Sequence, residues 1–185
     1  MTSRRLAARL ARHAVLVAAL GVAGASGALA MGGRDAGASS LPVRAIASGG
    51  HASAASGPQA WLARSADELA STTASRLPGF VMPAEPTQPA IDFGREVVVG
   101  VVAGERPTGG YSIEIVSASR HGSSLEVTVR EKRPDPGSMT IQMLTTPWTL
   151  AAVMVDAPVN DVVLRDEKGR ELRPGEPTRG GPAVR

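Results

Sequence analysis

The chain has 185 residues, 20 Lys and Arg against 17 Asp and Glu, and no cysteine. That length accommodates one domain with a targeting segment and tails, and the missing thiols exclude a disulfide framework, a cysteine nucleophile and a lipidated amino-terminal cysteine. Four of the arginines and no acid lie in the first thirty residues, which leaves 16 basic against 17 acidic side chains, so the basic balance gives no ground for nucleic-acid binding.

Arg4, Arg5, Arg9 and Arg12 open the chain, an apolar stretch runs from Ala14 to Gly24, and Ala28-Leu29-Ala30 follows as a small-x-small pattern. In that order they predict a secretory signal peptide over 1–30, its apolar part too short to span a bilayer. A periplasmic or secreted location follows, with no membrane anchor after cleavage; Ser3-Arg4-Arg5-Leu6 leaves general and twin-arginine export both open. Residues 31–40, rich in Gly, Ala and Ser, read as a flexible leader. Leu41 to Ala47 alternates well enough for a short strand, and Gln59 to Arg64 for a second, with His51 in the loop between them. Ser65 with Glu68 three residues on predicts a capped helix running to about Arg76, which Pro78-Gly79 ends. Trp61, just before that helix, is expected to anchor the core. Pro83, Pro86 and Pro89 exclude a central strand and suggest an extended cover at a sheet edge.

Asp92 either caps a turn or offers a carboxylate to a site. Glu96 to Ala103 is β-branched and apolar enough for a strand buried on both faces. Gly104-Glu105-Arg106-Pro107-Thr108-Gly109-Gly110-Tyr111 then reads as a hairpin turn. Pro107 sets its own φ, Gly109 takes the left-handed conformation, and Gly110 gives the returning strand room. That strand runs from Tyr111 to Ser119; Arg120-His121-Gly122 turns, with His121 as a turn residue, and Ser123 to Glu131 places Leu125, Val127 and Val129 inward. After a loop over Lys132 to Gly137, Met139 to Leu144 resumes strand character. Trp148 to Asp156 and Asp161 to Arg165 supply the last strands, and 166–185 is a flexible tail or a small hairpin through Lys168-Gly169 followed by one. The fold class is therefore mainly β, an antiparallel sandwich- or barrel-like domain over 41–165 with one short helix.

No catalytic set accompanies this scaffold. There is no Gly-x-Ser-x-Gly after the first thirty residues, no His-Glu-x-x-His and no phosphate loop before a helix, and His51 and His121 lack companions at ligand spacing. The expectation is a non-enzyme without metal or cofactor. What remains is recognition of a protein partner by Arg106, Pro107, Thr108, Gly109, Gly110 and Tyr111, an arginine-plus-aromatic set of the kind that concentrates binding energy. Pro, Gly and Tyr could equally serve to build the turn, whereas the turn does not require the side chains of Arg106 and Thr108.

Ile91-Asp92-Phe93, the Val-rich strand, Gly104 to Ile113, Leu125 to Val129, Pro134-Asp135-Pro136-Gly137 and the Thr146-Pro147 break occur in an order that resembles the C-terminal domain family of PrcB, an accessory subunit of a bacterial cell-surface protease complex. The resemblance implies a non-catalytic domain that binds and stabilises a protease. Pro107-Thr108-Gly109-Gly110-Tyr111 is also similar to an inhibitory loop of chagasin-type cysteine-protease inhibitors, which implies an alternative: inhibition by loop insertion.

Overall fold

The computed structural model describes residues 39–82 and 90–174. They form β1 (Ser39–Leu41), β2 (Val43–Gly49), β3 (Gln59–Ala63), α1 (Ala66–Arg76), β4 (Glu96–Val102), β5 (Ser112–His121), β6 (Ser124–Lys132), β7 (Trp148–Met154) and β8 (Asp161–Asp166). An outer sheet has the order β1-β5-β6-β8 and an inner sheet the order β2-β7-β4-β3. Every neighbouring pair is antiparallel except β6 and β8. The two sheets stay separate, so the architecture is a sandwich and not a closed barrel.

The inner sheet is covered on both faces, which explains why the valines of β4 do not alternate with polar residues. Val97, Val99 and Val101 pack against Leu125, Val127 and Val129 of the outer sheet. Val98 and Val102 turn the other way, into a second core with Trp61, Leu69, Leu77 and Trp148. A strand between two apolar layers has no polar face to alternate with. β6 has one, and there Leu125, Val127 and Val129 are buried while Glu126, Thr128 and Arg130 face out. The outer face is tied by ion pairs of Glu114 to Arg130 and to Lys132, both 3.0 Å. Gly100 interrupts β4 because an indole occupies the space: a Cβ there would lie 2.1 Å from Trp61.

α1 starts as its cap pattern requires. The Ser65 side chain accepts from the Glu68 amide at 3.1 Å, while the Glu68 carboxylate accepts from the Arg64 amide at 2.7 Å, one residue before the cap. Leu69 and Leu77 bury the helix against the inner sheet, and the Arg76 guanidinium lies 5.0 Å above the Trp61 ring. Asp92 caps a turn, its Oδ1 accepting from the Gly94 amide at 3.0 Å.

Several expectations are corrected. Pro42 divides the first predicted strand into β1 and β2, which join different sheets, and Ser39 and Ser40, read as leader, pair with Arg120 and Ser119. β4 and β5 are not a hairpin: they belong to different sheets, and 103–111 crosses between them. His121 lies in β5 opposite Ser124, and the turn is carried by Gly122 at φ 61°. Met139 to Leu144 forms no strand. Of the two readings of the stretch after β8, the small hairpin through Lys168-Gly169 is the one present, with Gly169 at φ 78° and a bridge between Arg165 and Glu171. The signal segment 1–30, the leader up to residue 38, the proline-rich 83–89 and the tail from 175 on lie outside the described residues. No helix among the described residues is long and apolar enough to cross a membrane.

Candidate functional site: the loop end of the sandwich

β4 ends, β5 begins, β6 ends and β7 begins at one end of the two sheets, so the crossover 103–111 and the long connection 133–147 emerge side by side. They are paired. The Arg106 amide donates to the Thr145 carbonyl at 2.7 Å and the Thr145 amide to the Arg106 carbonyl at 2.9 Å, a single antiparallel bridge. Further along, the Gly109 amide donates to the Ile141 carbonyl at 2.9 Å, and the Thr145 hydroxyl to the Thr108 carbonyl at 2.8 Å.

Arg106 also closes the crossover onto the outer sheet. Its Nε donates to Glu131 Oε1 at 2.9 Å and its Nη2 to Oε2 at 2.8 Å, a two-pronged charge-assisted contact, while Nη1 donates to the Glu105 carbonyl at 2.8 Å. The two side chains are only 11% and 17% exposed, so this arginine is mostly spent inside the protein. Glu131 lies at the end of β6, 25 residues away in sequence.

The glycines exchange the roles expected of them. Gly110, not Gly109, has the left-handed backbone, φ 84°, and a Cβ on it would meet Pro134 Cβ at 2.9 Å. At Gly109 the nearest neighbour of such a Cβ is Ile141 at 3.7 Å, ordinary contact. Pro107 and Gly110 are exposed; Thr108, Gly109 and Tyr111 are half-buried. Trp148, which opens β7 at this end, is buried in the second core, its ring 4.9 Å from Phe80 in an edge-on contact.

Sequence reasoning missed Glu131 and Thr145, and it missed what the 133–147 connection presents. Met139 is 103% exposed, Ile141 70%, Leu144 65% and Met143 46%. Their alternation with Ser138, Thr140 and Gln142 suggested a strand face, and the only signal against it was the bracket of Pro134, Pro136 and Pro147.

A cavity of about 390 Å³ opens beside the Arg106–Glu131 pair, with Ile113, Val129 and Leu172 on its floor and the Asp166–Arg170 turn at its rim. Burial raises the Asp166 carboxyl, yet the hydrogen bonds from the Arg170 amide and guanidinium and from the Lys168 amide together bring it below the usual aspartate range. Among the described residues no group of three or more His, Cys, Asp or Glu could hold a metal ion. His51 follows β2 at the loop end, whereas His121 closes β5 at the other, so the two histidines do not meet.

Residues 97–154 match the family model described as PrcB C-terminal. Over this stretch the chain is similar to the PrcB C-terminal family. The match runs from β4 through β7 and so contains both paired loops, the Arg106–Glu131 clamp and the exposed methionines. The strands β1 to β3, α1 and β8 flank the matched stretch and complete the two sheets around it. No curated protein and no solved structure matches the chain.

Proposed function

We propose that the chain is an exported, non-catalytic protein-binding domain that acts as an accessory, stabilising subunit of a secreted or periplasmic protease. The observation that carries this reading is the loop end of the PrcB C-terminal-like domain, where two connections are pinned to each other and one of them exposes Met139, Ile141, Met143 and Leu144. Export rests on the basic, apolar and small-x-small order of the first thirty residues. A binding role fits the chemistry of the end, where Arg106 is engaged with Glu131 and no histidine joins the pair.

The test pairs the purified chain with the exported proteases of its host, one at a time, and follows initial rate and activity half-life. A longer half-life at unchanged initial rate is expected for one of them. Loss of papain-type peptidase turnover at stoichiometric concentration would instead favour the loop-inserting inhibitor. No effect on any protease would refute both.

A further inference from the structure

Met139, Ile141, Met143 and Leu144 are four large apolar side chains on six consecutive residues, each between 46% and 103% exposed. Among the described residues the other exposed large apolar side chains, Val81 and Met154, lie apart from these four and from each other in the sequence. Isolated exposure is ordinary; four together present roughly 500 Å² of apolar surface, at the upper end of what monomers expose, and such patches mark contacts.

The patch is held in place. The Arg106–Thr145 bridge fixes one end of the segment, and the Gly109 amide fixes Ile141 in its middle. The Met143 amide turns back onto the Ile141 carbonyl at 3.0 Å, which makes the segment a convex knob instead of a strand edge. No charged residue lies between Pro136 and Val155, and no aromatic one between Pro136 and Pro147. We propose that Met139, Ile141, Met143 and Leu144 form the docking knob of this domain and seat in an uncharged, apolar cleft of a partner protein. The assignment rests on the partner-binding reading above.

The knob's chemistry selects that occupant. A membrane-seating loop draws on Trp or Tyr together with Lys or Arg; Lys132 and Arg133 precede this segment, but Asp135 stands between them and it, and no aromatic residue lies between Pro136 and Pro147. A second copy would set knob against knob, and ~500 Å² per side falls short of the ~800 Å² that each partner contributes to a standard stable interface. A concave partner encloses the knob from several sides and can take in the adjoining Pro107 and Gly110, which are exposed. Unbranched methionines adapt to an irregular apolar wall, and the pinned backbone lowers the ordering cost of binding.

The test places a benzoylphenylalanine photo-crosslinker, in turn, at Met139, at Pro107 and at Ser123 on the opposite end of the sandwich, in the full chain expressed in its host. The polypeptide cross-linked from Met139 is then purified and titrated against the unaltered chain, Met139→Asp and Leu144→Asp. Either substitution is expected to weaken binding by about tenfold or more with an unchanged melting temperature. Met139 is fully exposed, so its variant keeps the test valid should Leu144→Asp disturb the loop. Binding of both variants within about twofold of the unaltered chain overturns the knob. Cross-linking from Pro107 or Ser123 but not from Met139 overturns it while leaving the partner-binding reading standing; no cross-link from any position overturns both. A sedimentation-velocity dimer abolished by Met139→Asp, or Met139-dependent flotation with 3:1 phosphatidylcholine:phosphatidylglycerol vesicles, would assign the patch to another occupant and overturn it as well.

Discussion

Arg106→Ala measures how much of the loop end depends on one side chain. The substitution deletes two charge-assisted bonds to Glu131, at 2.9 and 2.8 Å, and a third to the Glu105 carbonyl at 2.8 Å. A surface ion pair contributes ~0–1 kcal/mol, and breaking a fully buried one costs ~3–5 kcal/mol. With side chains 11% and 17% exposed, this pair lies between those limits and closer to the second. Hydrogen bonds to charged groups contribute ~1.5–3 kcal/mol, and that range is the expected cost, equivalent to a melting temperature lower by roughly 5–10 °C. Much of it is the penalty of leaving the Glu131 carboxylate with only the longer contact to Arg133, at 3.9 Å, so Arg106→Ala with Glu131→Gln should lose less than the sum of the single variants. Urea denaturation of the two single variants and the double variant checks both claims. A change within about 0.5 kcal/mol for Arg106→Ala, the range of ordinary surface substitutions, would refute the clamp.

Gly110→Ala should cost about 1–3 kcal/mol, because φ is 84° and Pro134 stands 2.9 Å from the new Cβ, while Gly109→Ala should be nearly silent in thermal melts. Gly100→Ala drives a methyl to within 2.1 Å of the Trp61 ring and should cost about 1–3 kcal/mol or more, read as a lower urea midpoint and altered tryptophan fluorescence. The Glu114 carboxyl is held below its usual range chiefly by the hydrogen bond from Lys132, against the opposing effect of burial and with help from Arg130; Asp156 is lowered chiefly by Arg120. Both folded values are depressed, so their stabilisation is present above the ordinary carboxylate range, about 4, and is lost as pH falls through the folded values. Urea midpoints should therefore drop as pH is lowered from 5 towards 2, with a shallower drop in Glu114→Gln and a smaller one in high salt.

Much of the fold was legible because burial leaves a period in the sequence. β6 alternates since one face meets water, and β4 does not since neither does. Pairing was less legible than burial. Glu96 to Ile113 has the local chemistry of a hairpin, yet the turn residues carry no information on whether the flanking strands share a sheet. That was decided by non-local contacts: Arg106 with Glu131, and Arg106 with Thr145. The same reason explains Met139 to Leu144, whose alternation describes side-chain spacing and leaves open whether any strand is available to pair with it. Arg106 was singled out because the turn did not need it; its need came from a glutamate at the end of another strand. Gly109 and Gly110 are indistinguishable by sequence; the φ of 84° at Gly110 and the closeness of Pro134 decide which of them must be glycine.

The most direct measurement of the binding role is hydrogen–deuterium exchange of the full chain, alone and with the protease whose half-life it extends. The expected result is protection on binding confined to 104–111 and 138–145, with the His121 to Ser124 turn at the far end of the sandwich unchanged. Protection at that far turn or along the outer face of β6, with both loops exchanging as in the free chain, would contradict it.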